Sequence, residues 1–162
     1  MTKRSLAIFC LLFIASLFIT GFGKPPASAP ENIYLVTRVI DGDTIELANG
    51  ERVRYIGIDT PETKHPEKPV QYFGKEAYEA NKKLVEGKKV RLEFDVQKRD
   101  KYGRILAYVY VDNIFVNAWL VENGYAYAAT YPPNVKYQES FLKLQKEARK
   151  NKRRLWRGGQ NQ

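Results

Sequence analysis

The chain opens on an apolar run, residues 6–19, with Lys3 and Arg4 ahead of it and Gly21, Phe22 and Gly23 behind. A positive head, an apolar middle and small residues afterwards are the layout of an export signal. Residues 1–23 are therefore set apart as a signal peptide. If left uncleaved they form an N-terminal membrane anchor, since the run is near the lower length limit for crossing a bilayer. Residues 24–32 (KPPASAPEN) follow as a Pro/Ala/Ser-rich tether.

Beyond the tether the polar and apolar positions become regular. Two β-type runs, residues 33–40 and 44–47, flank Asp41-Gly42-Asp43, and Asn49-Gly50 leads into a third, residues 52–58. Asp-Gly and Asn-Gly between such runs are hairpin signals, so a three-stranded meander is expected. Residues 59–72 carry Pro61, Pro66 and Pro69 and read as a long loop, which in a compact domain is functional or disordered. Phe73, Ala77, Ala80 and Leu84 recur at helical spacing, and Gly87 is placed to end that helix. Residues 90–96 alternate strictly, predicting a strand with one wet face, whereas residues 105–111 are nearly all apolar, predicting a strand covered on both sides. Asn117 is placed to cap a short helix ending at Gly124. A last amphipathic helix from about residue 137 carries Phe141, Leu144 and Ala148 on one face and runs into basic residues 150–154. The order β-β-β-α-β-β-α-α predicts an α+β fold, mainly β. Its form is a five-stranded Greek-key barrel of the oligonucleotide-binding (OB) type with three helices, over residues 33–157. Residues 158–162 form a C-terminal tail.

Charge and scarce residues narrow the chemistry. The net charge is +9, and losing Lys3 and Arg4 leaves +7 because no acidic residue precedes Glu31. Such a domain favours polyanionic partners: nucleic acid, or an anionic membrane or wall surface. Cys10 is the only cysteine and lies in the leader, so the mature chain has neither disulfide nor thiol chemistry. His65 is the only histidine, which excludes a two-histidine ribonuclease mechanism and a His-rich zinc site. Carboxylates, arginines, lysines, tyrosines and a hard metal ion remain as the tools of an enzyme.

Asp41 and Asp43 stand at a hairpin tip, and Asp59 and Glu62 stand where the third strand gives way to the long loop. Pairing of the second and third strands brings the two groups to one end of the sheet. Oxygen-only ligands select calcium or magnesium over zinc, and a loop-built site tolerates calcium's looser shell. The spacing is not that of an EF-hand: counting from Asp41, the sixth residue is Glu46 where glycine is needed and the twelfth is Arg52 where glutamate is needed. Arg54 and Arg104 supply planar guanidiniums able to hold a phosphate in a bidentate way. The plainer alternative is that the aspartates only shape a turn and the arginines pair with neighbouring carboxylates on a wet face.

Three separated blocks, Asp41-Gly42-Asp43-Thr44, then Ile58-Asp59-Thr60-Pro61-Glu62-Thr63-Lys64-His65-Pro66, then Asp100-Lys101-Tyr102-Gly103-Arg104, closely resemble the staphylococcal nuclease family. The resemblance extends from about Ile33 to Trp156 and implies the same barrel. It implies Asp43, Asp59 and the backbone carbonyl of Thr60 as calcium ligands, with Asp41 shaping that site from beside it. It implies Glu62 as the residue that orients or deprotonates the attacking water, and Arg54 and Arg104 as the pair that hold the phosphate. Lys101 and Tyr102 match nucleotide-contacting positions, and Tyr131 supplies one ring of a tyrosine pair whose other member, Tyr127 or none, is unsettled after Gly124. The implied activity is a secreted, monomeric, calcium-dependent nuclease cutting DNA and RNA at the 5′ P–O bond to leave 3′-phosphates. Membrane contact, lasting or transient, would run through residues 6–22. The alternative is a surface OB barrel that binds nucleic acid without cutting it.

Overall fold

In chain order the elements are β1 (Ile33–Asp41), β2 (Thr44–Leu47), β3 (Arg52–Tyr55), β4 (Ile58–Asp59), α1 (Gly74–Val85), β5 (Lys89–Glu93), β6 (Ile105–Val111), β7 (Ile114–Phe115), α2 (Val116–Glu122), β8 (Tyr127–Ala128) and α3 (Gln138–Lys150). They come from a computed structural model that describes residues 32–62 and 71–157. The expected leader, the tether up to Glu31, loop residues 63–70 with His65, and the tail 158–162 lie outside the described residues.

β1 serves two partners. Its first residues pair antiparallel with β5, and its remainder pairs with β2. The ladder slips between Val36 and Arg38 and again between Val39 and Asp41, irregularities that bend the strand from one partner to the other. β2 pairs with β3, β3 runs parallel to β6, and β6 returns antiparallel to β5. The circuit β1-β2-β3-β6-β5 therefore closes on itself, giving the expected five-stranded barrel with three helices around it. Val36, Val39, Ile45, Leu47, Val53, Leu92, Ala107 and Val109 fill it, each at most 1 % exposed. β6 has the expected bounds and is buried along most of its length.

Four local expectations are corrected. The third run does not continue to Ile58: it breaks at Ile56-Gly57, and Ile58–Asp59 peels off to pair with β8. Gly57 permits the break, with φ +78 and a hypothetical Cβ only 2.5 Å from the Phe141 ring. The strand over residues 90–96 ends at Glu93. On α1 the buried positions are Gly74, Ala77, Ala80, Asn81 and Val85, while Phe73 and Leu84 are only partly buried, so the inner face is turned from the expected one and carries a polar residue. Asn117 lies inside α2 and caps nothing. Its amide accepts from Val109 N at 2.9 Å and donates to the Ile56 carbonyl at 2.8 Å, tying α2 to the barrel beside the break.

Candidate active site

The hairpin between β1 and β2 and the break after β3 meet at one end of the barrel. Asp43, only 5 % exposed, reaches across to Thr60: its Oδ2 accepts from the Thr60 backbone N and from Thr60 Oγ1, both at 2.9 Å, while Oδ1 accepts from Thr44 Oγ1 at 3.1 Å. Gly42 is required by that closeness and not by its backbone angle. A Cβ there would meet Thr60 Oγ1 at 2.6 Å, and its φ is outside the left-handed region. Asp41 turns its Oδ1 back onto Gly42 N at 2.8 Å.

Arg54 locks the two strand ends together. Its Nη1 donates to the carbonyls of Tyr55 and Ile58, both at 2.9 Å, and its Nη2 contacts Asp59 Oδ1 at 2.7 Å and Asp43 Oδ2 at 3.3 Å. The five-residue spacing of Arg54 and Asp59 thus spans a turn. Burial is the main influence on Asp59, opposed by Arg54 and reinforced by the Asp43 and Glu62 carboxylates, and it holds the carboxyl above the usual carboxylate range. Half of the side chain still reaches solvent (51 %), which limits the size of that effect. Glu62 is fixed through its backbone: its N donates to Gln71 Oε1 at 2.9 Å and its carbonyl accepts from Gln71 N at 3.0 Å, a clasp across the base of the long loop.

Arg104 arrives from another direction, at the end of the loop that precedes β6. Asp100 organises it, accepting from Arg104 Nε at 2.7 Å on Oδ2 and from the backbone N of Tyr102 and Arg104 on Oδ1. Burial opposes ionisation of Asp100, but those hydrogen bonds together outweigh it and hold the carboxyl below its usual range. A groove of about 450 Å³ has Arg54, Arg104, Lys101, Tyr102 and Tyr131 among its lining residues. Tyr102 is 71 % exposed and Tyr131 64 %. Tyr127 does not line it: that ring packs edge-on against Trp156 at 5.3 Å.

Three positioning residues were not singled out from sequence. Asn134, 5 % exposed, exchanges two hydrogen bonds with the backbone of Gln97 (2.7 and 2.8 Å), joining the loop of Tyr102 to the turn of Tyr131. Following two prolines, it gives no sequence signal beyond a turn. Asn81 accepts from the buried Tyr55 hydroxyl at 2.9 Å and donates to the Asp41 carbonyl at 3.3 Å, steadying the aspartate hairpin. Its place four residues after Ala77 was a readable signal. Gln71 stands in the polar loop with none.

Among the described residues no group of three His, Cys, Asp or Glu side chains gathers to hold a metal. Asp43 and Asp59, bridged by Arg54 Nη2, present carboxylate oxygens of the kind a hard cation takes, and calcium's six to eight oxygens would leave further positions to water or phosphate.

The chain that folds into this barrel is matched over residues 52–158, from β3 onwards, by a family model, "Staphylococcal nuclease homologue". The chain belongs to that family. It is 47 % identical to a thermonuclease of Staphylococcus hyicus, covering 96 % of both chains. A thermonuclease of Staphylococcus intermedius is 44 % identical, covering 94 % of this chain and 92 % of the relative. The endonuclease YncB of Bacillus subtilis is 45 % identical over 83 % of this chain and 67 % of its own.

Proposed function

We propose that the protein is a nuclease: a calcium-dependent, sugar-non-specific phosphodiesterase that cuts DNA and RNA at the 5′ P–O bond and leaves 3′-phosphates. The observation that carries this reading is the convergence of Arg54, Arg104, Asp43 and Asp59 from four separate stretches onto one mouth of the barrel. The family's thermonucleases and endonucleases support it.

Asp43, Asp59 and the Thr60 carbonyl would hold the ion. When bound, calcium supplies a Lewis acid and a template for the phosphate. Glu62 accepts a proton from the attacking water. Arg54 and Arg104 grip the phosphate and offset the negative charge that builds as the water attacks, and each such preorganised contact lowers the barrier by about 3 kcal/mol. In this geometry Arg54 is bound to Asp43 and Asp59. Lys101, Tyr102 and Tyr131 contact the sugar-phosphate backbone and the flat faces of bases, contacts blind to base identity and tolerant of either sugar.

Export through residues 1–23 accords with the leader pattern, and the product acts outside the cell as a monomer, released or anchored. Digestion of single- and double-stranded DNA and of RNA, with end-group analysis, tests the reading. Loss of all substrates with 3′-phosphate ends is expected. Products with 5′-phosphate ends would contradict the bond assignment, and tight binding without any cutting would favour a nucleic-acid-binding barrel.

A further inference from the structure

Next to the first groove lies a second depression of about 490 Å³, lined by Gly50, Glu51, Arg52, Tyr102, Gly103 and Arg104. Tyr102 and Arg104 line both grooves. Gly50 and Gly103 line it in left-handed backbone (φ +81 and +79), with open space around both.

Its charges are sorted in a way that leaves Arg52 available. Glu51 is held by both terminal nitrogens of Arg99, at 2.9 and 3.0 Å. Glu46 is held by Arg38 at 2.8 Å, and Arg52 Nε stands farther from it, at 3.8 Å. Arg104 is committed to Asp100 on one side. The Arg52 side chain is 59 % exposed, so its guanidinium is the cation best able to meet an incoming anion here. The groove matches its neighbour in volume, shares Tyr102 and Arg104 with it, and has an exposed arginine held by a long ion pair, as a chain of linked phosphates passing from one groove to the next requires.

We propose that this second groove is a nucleotide subsite for the residue of a single-stranded substrate adjoining the one in the first groove, with Arg52 contacting its phosphate. The proposal rests on the nuclease reading above and goes beyond it by assigning a second, length-dependent contact. No base identity is read there, because phosphate contacts position without specifying sequence.

The test uses single-stranded oligonucleotides with one cleavable bond, extended one nucleotide at a time from either end, and compares the unaltered protein with Arg52→Ala and Arg52→Lys. For the unaltered protein, one added nucleotide at one end should lower KM. Arg52→Ala should lose up to about 5-fold of that gain, the size of an exposed ion pair, with kcat and the KM of the shortest substrate unchanged. The slope of log affinity against log salt for long substrates should fall by about 0.7, one phosphate contact on a single strand. Arg52→Lys should restore most of it. A full length gain retained in Arg52→Ala, or an equal loss on the shortest substrate, overturns the subsite. If the unaltered protein cuts nothing, the nuclease reading fails instead, and fluorescence anisotropy of the same labelled strands still decides the groove: unchanged binding of long strands by Arg52→Ala overturns it.

Discussion

Arg54 and Tyr131 line the same groove, yet they are held in opposite ways. Arg54 has two carbonyls and two carboxylates around its guanidinium, and only 14 % of its side chain is exposed. Tyr131 stands 64 % exposed on a short turn secured from behind by Asn134. The mouth of the barrel is built so that charge cannot move when a phosphate arrives. The groove beside it presents surfaces that need only be flat and within reach. Chemistry demands fixed dipoles and charges, whereas binding to any nucleotide tolerates looseness. A second contrast concerns carboxylates: Asp59 is held above its usual range, while Glu93 and Asp95, at and just after the end of β5 and bonded to Lys136 and Tyr137 ahead of α3, are held below it.

The largest effects should fall on the fixed side. Glu62→Gln should lower kcat by about 10²–10⁴-fold, the span of general-base catalysis, without altering calcium affinity by more than a few-fold. Near-normal turnover in rapid-quench kinetics would remove Glu62 from the mechanism. Arg54→Ala and Arg104→Ala should each cost about 10²–10³-fold in kcat. They should differ in stability, because removing Arg54 leaves two carboxylates facing each other without a cation. Denaturant unfolding in chelator should show Arg54→Ala weaker by roughly 3 kcal/mol, as for a broken buried pair, and calcium should restore much of that. Arg104→Ala should lose under about 1 kcal/mol. Equal losses would erase the distinction drawn between the two arginines.

Effects on the loose side should be smaller and should appear in KM. Tyr131→Ala should raise KM by roughly 5- to 100-fold, the worth of one stacked base, with kcat within about 3-fold. A fall in kcat with KM unchanged would move Tyr131 into the chemical step.

The carboxylate contrast gives the mildest effect. For Glu93, burial opposes ionisation but hydrogen bonds from Lys136, Tyr137 and Tyr110 outweigh it, and for Asp95 those from Lys136 N, Tyr108 and Val96 N do the same. A carboxyl whose folded value lies below its unfolded one stabilises the fold above about pH 4, and that contribution is lost as pH falls through the folded value. Tyr137→Phe should therefore soften the acid limb of the stability curve below about pH 4 and leave neutral stability within about 1 kcal/mol. Unfolding monitored from pH 7 to pH 3 reads this.

The barrel was legible because its strands carry long patterns. The apolar run of β6 and the turn dipeptides around β2 each announce one element. β4, β7 and β8 are two residues long and too short to show a period, so the break at Gly57 passed for continuous strand. Buried amides misled in the same way. Asn117 looks like a cap because asparagine favours caps, but here its amide satisfies two buried backbone groups. At the site, the acidic and arginine residues stand in short motifs that name themselves. Gln71, Asn81 and Asn134 act through contacts 9, 26 and 37 residues away in sequence, which no local pattern displays.

Calcium dependence of cleavage, measured beside Asp59→Asn, tests the central assignment most directly. With the full chain and one DNA substrate, cutting should appear with calcium, vanish in chelator, and in Asp59→Asn require a far higher calcium concentration for half-maximal rate. Undiminished cutting in chelator, or the same calcium requirement in Asp59→Asn, would contradict a metal held between Asp43 and Asp59.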